Sequence, residues 1–252
     1  MNKDSKYPIF TNAIDSLEHG IRMYRDRTYP NAHKYAILAV YQAIELFLKD
    51  ALFRINPVLI YANIDKQVGD DSRTVGFKEA VVRLANLGVC MTKKSIQSIE
   101  RLQRRRNRIE HREYKPSEDD CSSMADALQV LYDFVPQYLK DEELANFVDE
   151  DLWRDLQQYI LDYGKLVEEA QVEVDKLISV PPGDFGPEAL ECPICGNETL
   201  VIAGKDGRDY CFVCRRAVPM AQCCDCSEYY PAEMLEDVSR CPECLRAQWE
   251  KG

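Results

Sequence analysis

Long apolar runs and an excess of positive charge are both missing from this sequence. The longest apolar run, residues 35–41, is far too short to span a bilayer, and the opening MNKDSKYPIF lacks the apolar core of a signal peptide. Only 32 basic residues stand against 43 acidic ones, a net charge of -11. These absences predict a cytoplasmic protein with no membrane partner. They also argue against indiscriminate nucleic-acid binding, which favours basic chains.

Histidine is scarce, with three residues, whereas cysteine is abundant, with eleven. Disulfides are rare in the cytoplasm, so clustered cysteines there usually indicate a metal site. Only two cysteines precede residue 190, and eight of the others form four Cys-x-x-Cys pairs. The pairs are Cys192/Cys195, Cys211/Cys214, Cys223/Cys226 and Cys241/Cys244.

The spacing of these pairs is typical of sites in which four thiolates bind one zinc ion. Thiolates three positions apart in a tight turn can face one ion, and two such turns complete a tetrahedron. Residues 192–244 resemble two tandem zinc ribbons, so we expect two structural Zn2+ ions. Sequential pairing of the turns is simplest, with cross-braced pairing and disulfide or redox chemistry as the alternatives. Cys224 is an alternative ligand, whereas we expect Cys90 and Cys121 to be small buried side chains.

The composition divides the chain into two parts. Three prolines and two glycines in residues 180–187 favour a linker over a helix or strand. We therefore predict a helical domain over residues 1–180, a linker over 181–190 and the zinc-ribbon module over 191–252. Apolar residues recur at helical spacing in the first part. The expected fold is mainly α, with a small β-rich C-terminal module.

Local signals predict several helix boundaries in the first part. The stop and start signals are Asn56-Pro57, Gly88, Thr92, Lys115-Pro116 and Ser117. The helix after Ser117 should run toward Leu139, with Pro136 bending or ending it. A last helix is expected over residues 151–177.

Charge follows the same division. Residues 93–112 carry eight basic and two acidic side chains, whereas residues 117–179 carry 17 acidic and four basic ones. The overall acidity therefore hides one strongly basic helix. The acidic stretch is either an ordinary solvated face or a shield over the basic helix, which neutralising Asp141, Glu142 and Glu143 would test at low salt.

The basic helix ends in Arg106-Asn107-Arg108-Ile109-Glu110-His111. On a helical wheel of about 100° per residue, Arg106 falls inside the apolar stripe, while Asn107 and His111 lie on its flank. An arginine on such a stripe costs free energy unless it is paired or lies in a cleft. One interpretation is an ion pair of Arg106 with Glu110, four residues on. The other is a functional site.

The pattern Arg106-Asn107-x-x-x-His111 is similar to the motif of HEPN domains. Residues 43–52 and 74–84 resemble that family's second long helix and the element after it, so the resemblance spans roughly residues 10–140. It implies an α-helical bundle, a metal-independent endoribonuclease that cleaves RNA, and a homodimer formed through the helical domain. Members of the family often act as toxins or in anti-phage defence, which implies an antitoxin or regulatory protein as a partner.

The resemblance implies catalytic roles for Arg106, Asn107 and His111. Histidine titrates near neutral pH and can move a proton at the 2'-OH or the 5'-oxygen, while arginine stabilises charge on the phosphorane. Asn107 would hold His111 or the phosphate, and the products would be 2',3'-cyclic phosphate and 5'-OH ends. Arg106 and His111 differ by about 140° in azimuth, which a two-fold dimer would overcome. Glu45 either orients Arg106 or pairs with Lys49.

Two other interpretations remain open at this point. A catalytically silent HEPN scaffold could carry ribbons that bind nucleic acid or protein. Residues 192–252 hold seven basic and ten acidic side chains, which is unlike a strong phosphate binder. Aromatic residues of the module could contact a protein or simply fill a ribbon core; they are Phe212, Tyr229, Tyr230 and Trp249. The third interpretation is a nuclease that stays inactive until a signal arrives.

Overall fold

The fold is described from a computed structural model. It covers residues 8–26, 28–29, 31–65, 69, 72–111, 119–139, 143–178, 189–232 and 240–249. The predicted boundary signals at Lys115-Pro116 and Ser117, and the acidic residues Asp141 and Glu142, lie outside this part of the chain.

The chain is mainly helical, with short strands confined to its C-terminal part. The helices are α1 (Pro8–Arg25), α2 (Ala32–Ile55), α3 (Phe77–Asn86), α4 (Lys93–His111), α5 (Asp119–Leu139), α6 (Glu150–Ile178) and α7 (Pro242–Trp249). Short 3-10 helices span Pro57–Ile60 and Leu144–Asn146. The strands are β1 (Ala189–Leu190), β2 (Leu200–Lys205), β3 (Arg208–Cys211), β4 (Arg216–Ala217), β5 (Met220–Gln222) and β6 (Tyr229–Pro231).

The chain forms two compact units, Met1–Tyr163 and Gly164–Gly252. The division falls inside α6, so the end of this helix belongs to the C-terminal unit. Of the predicted linker, residues 181–188 lie outside the described residues, and the last two form β1, which pairs with β2.

Helix α2 is the central element of the N-terminal unit, packing against α1, α3, α4 and α5. Because neighbours surround it, its apolar residues lie on more than one face. Those almost fully buried are Ala36, Ile37, Val40, Tyr41, Ala43, Ile44, Phe47, Leu48, Ala51 and Leu52. Helix α1 approaches so closely that a Cβ on Gly20 would lie 2.6 Å from Cγ2 of Val40. The absence of a side chain at Gly20 therefore permits this contact.

Several predicted helix ends are confirmed. Helix α2 stops before Asn56, whose side chain accepts a hydrogen bond from the Val58 amide at 3.0 Å. Helix α3 is followed by Gly88 at φ +84°, a left-handed conformation that glycine adopts easily. Thr92 Oγ1 accepts a hydrogen bond from the Ser95 amide at 3.0 Å and caps α4. Helix α5 runs to Leu139, as predicted, but Pro136 lies inside it and does not end it.

The connection between α2 and α3 is irregular, and one arginine orders part of it. The Arg83 guanidinium donates hydrogen bonds to the carbonyls of Leu59 and Tyr61, both at 2.6 Å, and of Ala62 at 3.1 Å. An isolated bridge joins Tyr61 to Thr74. These bonds satisfy carbonyls that no helix or sheet could pair.

The C-terminal unit contains two small antiparallel sheets. One has the strand order β1-β2-β3-β4, and the other is the hairpin β5-β6. In the first sheet, Leu200 pairs with Cys211 and Tyr210 pairs with Ala217. The β-strand content predicted for this part is confirmed. None of the helices in the described residues is long and apolar enough to cross a membrane.

Candidate functional site

Four buried cysteines of the C-terminal unit converge around one point. They are Cys192, Cys195, Cys211 and Cys214. The sulfur of Cys192 lies 3.9 Å from that of Cys214, and the sulfur of Cys195 lies 3.7 Å from that of Cys211. A disulfide would need about 2.05 Å. A tetrahedron with metal–sulfur bonds of about 2.3 Å has edges of about 3.8 Å, so the spacing fits four thiolates around one ion.

A second group follows at Cys223, Cys226, Cys241 and Cys244. The sulfurs of Cys226 and Cys241 lie 4.0 Å apart, close to the same tetrahedral edge. Cys241 directly precedes α7, and Cys244 lies in its first turn. Both groups use the sequential pairing that the spacing favoured, and the cross-braced alternative is wrong.

Three of the four Cys-x-x-Cys turns share one backbone conformation. The residue after the second cysteine is left-handed in each, with φ of 69° at Gly196, 55° at Arg215 and 62° at Ser227. In two of these turns, the amide of that residue donates to the carbonyl of the first cysteine, at 2.7 Å for Gly196 and 2.9 Å for Ser227. This turn closes tightly, which brings the two cysteine side chains to the same side.

Backbone amides favour the ionised form of these thiols. The Cys214 amide lies 3.4 Å from the Cys211 sulfur, and the Cys241 amide lies 3.3 Å from the Cys223 sulfur. Hydrogen bonds from the Cys226 and Cys241 amides lower the pKa of Cys223 to about 6. A thiolate is the form that binds a metal, so these N–H groups prepare the turns as ligands.

The two clusters differ in exposure. All four cysteines of the first are buried, whereas Cys226 of the second is exposed and Cys244 is half-buried. Cys224 is exposed and belongs to neither cluster, with its sulfur 3.6 Å from Oδ1 of Asp225. The prediction of a buried Cys90 is wrong, because this residue lies exposed in the connection between α3 and α4. The side chain of Cys121 lies outside the described residues.

The motif residues of the basic helix lie in the last two turns of α4. Arg106 is half-buried, and its Nη1 lies 3.0 Å from Oε2 of Glu110. The same nitrogen donates to Oδ1 of Asn107 at 3.1 Å. The ion pair between Arg106 and Glu110 that the helical wheel suggested is therefore present.

The Arg106 guanidinium also lies over the ring of Tyr41 on α2, 5.5 Å from its centroid. This ring is buried, and its hydroxyl accepts a hydrogen bond from Gln103 at 2.9 Å. Burial, followed by the nearby Glu45 carboxylate, raises the pKa of Tyr41. Glu45 and Arg106 both lie near Tyr41, and the described residues include no ion pair of Glu45 with either Arg106 or Lys49.

His111 is exposed and forms the last residue of α4. Asn107, one turn earlier, is also exposed. The structure therefore brings Arg106 and Asn107 together. Within the part of the chain described, it gives no hydrogen bond or ion pair between either residue and His111.

The N-terminal unit contains a buried ion pair that the sequence does not predict. The Arg101 guanidinium lies 3.2 Å from Oδ2 of Asp126 on α5 and 2.8 Å from Oγ of Ser98. Arg101 and Asp126 are 8% and 9% exposed. Arg101 is one of the eight basic residues of the basic helix, yet the Asp126 carboxylate pairs with it inside the fold.

The C-terminal unit also has a cavity of about 290 Å³ between the end of α6 and the first sheet. Its lining combines aromatic, acidic and basic side chains. They are Leu166, Glu169, Ala170, Glu173, Tyr210, Phe212 and Arg215. Tyr210 and Phe212 meet edge to face with centroids 5.1 Å apart, so Phe212 packs within the module and also borders this cavity.

Comparison with protein-family models, with curated proteins and with solved structures gave no match.

Proposed function

We propose that this protein is a metal-independent endoribonuclease of the HEPN type that carries two structural zinc ions. The supporting observation is the position of Asn107 and His111 on the exposed side of α4, with Arg106 held beside Asn107. The side chains of Asn107 and His111 are both exposed among the described residues, as contact with an RNA strand requires. The resemblance of the motif supplies the class of reaction.

In the proposed reaction, His111 makes one of the two proton transfers, taking the proton of the 2'-OH or protonating the 5'-oxygen as it leaves, and water makes the other. The oxygen of the 2'-OH forms a bond to phosphorus while the bond from phosphorus to the 5'-oxygen breaks. This leaves a 2',3'-cyclic phosphate and a 5'-OH end. Arg106 stabilises the charge on the phosphorane, and a homodimer through the helical unit places one copy's Arg106 near the other copy's His111.

Zinc is the ion that we propose for both cysteine clusters. Four thiolates in a tetrahedron suit zinc and leave no open position for a substrate, so both ions would be structural. Iron is the other metal that four thiolates bind well. Metal analysis of the purified protein should give zinc and no visible absorption. A coloured, iron-containing protein would overturn this assignment.

The decisive experiment compares RNA cleavage by wild type, His111→Ala and His19→Ala. His19 is an exposed histidine of α1 and serves as the matched control. After zinc loading, wild type and His19→Ala should cut RNA during a brief exposure to EDTA, whereas His111→Ala should not. Mapping of the ends should find cyclic phosphates and 5'-OH groups. Cleavage by His111→Ala equal to that of wild type contradicts the proposal.

A silent HEPN scaffold is the second candidate, and the ion pair between Arg106 and Glu110 favours it. That pair neutralises the charge that the reaction would need. A zinc-loaded wild type that binds RNA or a protein without cutting RNA would support the scaffold.

We also propose the biological setting that the resemblance implies. The nuclease would act as a toxin or an anti-phage effector in the cytoplasm, restrained by an antitoxin or regulatory protein. Growth arrest on expression of wild type, absent with His111→Ala, is the expected result.

A further inference from the structure

Four of the five arginines of α4 fall into two classes by their partners; the fifth, Arg105, is half-buried. Arg101 is buried against Asp126, and Arg106 is paired with Glu110. Arg104 and Arg108 are exposed, and neither forms an ion pair with any residue in the described ranges. Arg104 and Arg108 are therefore the exposed arginines of this helix that have no ion pair within the described residues, while Lys93 and Lys94 are exposed at its other end.

Arg104 and Arg108 share one face of α4 with His111. At about 100° per residue, the three side chains fall within about 60° of one another. Their Cα atoms span about 10 Å along the axis, at 1.5 Å per residue. Arg106 lies on another face, toward Tyr41 of α2. The arginine nearest to His111 on this surface is thus Arg108, three residues earlier.

We infer that Arg104 and Arg108 bind the phosphate backbone of single-stranded RNA and deliver it to His111. This inference deepens the proposed function and rests on it for the role of His111. Two exposed guanidinium groups that have no carboxylate partner among the described residues attract phosphates without first breaking an ion pair there, and binding releases the counterions condensed on the RNA. Arg106, by contrast, must leave Glu110 before it can meet a phosphate.

The surface also explains how an acidic protein can bind RNA. The net charge of -11 belongs to the whole chain, and beyond a Debye length of about 8 Å at physiological salt most of it is screened. The attraction of an RNA phosphate to Arg104 and Arg108 is therefore a local effect. The strip that these arginines form with His111 is about 10 Å long, which suits a few nucleotides of a flexible strand.

The test measures binding of a fluorescent single-stranded RNA of about ten nucleotides over a series of salt concentrations. It uses the zinc-loaded full chain with His111→Ala, so that the probe stays intact. Each phosphate contact on a single strand contributes about 0.7 to the slope of log affinity against log salt. Adding Arg104→Gln and Arg108→Gln should therefore lower the slope by about 1.4.

The matched control adds Lys165→Gln and Lys176→Gln instead. Both lysines are exposed on α6, so the net charge changes equally while α4 stays intact. This control should leave the slope as it was. An equal fall in both variants, or no fall in the arginine variant, overturns the inference. Far-ultraviolet circular dichroism checks that each variant is folded.

Steady-state cleavage separates this inference from the proposed function. In an otherwise wild-type chain, Arg104→Gln with Arg108→Gln should raise KM and change kcat little. If His111→Ala still cuts RNA but the slope falls as expected, the nuclease proposal fails and the RNA-binding strip stands. If His111→Ala abolishes cleavage but neither slope nor KM changes in the arginine variant, the strip is wrong and the nuclease stands.

Discussion

The two units of this protein are stabilised by different means. The N-terminal unit has a continuous apolar core whose buried members run from Phe10 to Leu156. Among the described residues of the C-terminal unit, the buried side chains include few large apolar groups, and cysteines take a large share. The buried cysteines are Cys192, Cys195, Cys211, Cys214, Cys223 and Cys241. If the cysteine clusters hold metal ions as proposed, a small unit with so little apolar burial depends on those ions, whereas a helical unit with a large core does not.

Removal of the metal should give the largest difference between the two units: the C-terminal unit should unfold and the N-terminal unit should stay folded. A structural zinc site contributes on the order of 10 kcal/mol at neutral pH, more than the C-terminal unit can replace. After prolonged treatment with a high-affinity chelator, amides of residues 192–244 should exchange rapidly, while those of α2 keep their protection. Hydrogen exchange followed by mass spectrometry resolves the two regions.

The converse variant is Phe47→Ala, which removes a fully buried side chain of α2. It should cost the N-terminal unit about 3–5 kcal/mol and leave the metal content unchanged. Loss of protection in α2 on chelation, or loss of metal from Phe47→Ala, would show that the two units are coupled.

Features that depend on neighbouring residues could be predicted from the sequence. The end of α2 at Asn56 and the end of α3 before Gly88 follow from the conformations that these residues favour. The cysteine clusters follow from spacing, since a Cys-x-x-Cys turn fixes its own geometry. The ion pair between Arg106 and Glu110 was one of two interpretations because both residues lie on one helix.

Features that depend on another helix could not be predicted in the same way. Arg101 is buried because Asp126, on α5, meets it across the helix interface, and no local pattern gives that partner. Cys90 is exposed because it lies in a connection, where the preference of cysteine for the interior has no apolar face to act on. For the candidate site, the sequence pattern supplied the motif, while Tyr41 beneath Arg106 required the packing of α2 on α4.

Asp126→Ala should cause the next largest loss of stability, and this loss should be confined to the N-terminal unit. It leaves the Arg101 guanidinium buried without its carboxylate, which typically costs about 3–5 kcal/mol. Burial raises the pKa of Asp126 despite the nearby Arg101, so the pair itself contributes little net stability. Replacing both residues, by Arg101→Met with Asp126→Leu, should restore most of the loss.

The free energy of unfolding of both variants is measured by urea titration of the zinc-loaded protein, with hydrogen exchange of the α4 and α5 amides as the readout. A double variant as unstable as Asp126→Ala would show that the ion pair itself, rather than the unpaired charge, determines stability. Protection of residues 192–244 should be the same in all three proteins.

The smallest effect should come from the cap of α4. Thr92→Ala removes the hydroxyl that accepts the Ser95 amide and should cost about 1 kcal/mol. Thr92→Ser keeps an equivalent hydroxyl and is the matched control. Hydrogen exchange of the amides should become faster in the first turn of α4. The buried apolar face that contains Ile99 and Leu102 should hold the rest of the helix in place. Because His111 lies at the opposite end of α4, RNA cleavage should stay unchanged. A loss of cleavage in Thr92→Ala but not in Thr92→Ser would mean that the whole helix, and not only its last two turns, has to be rigid for the site to work.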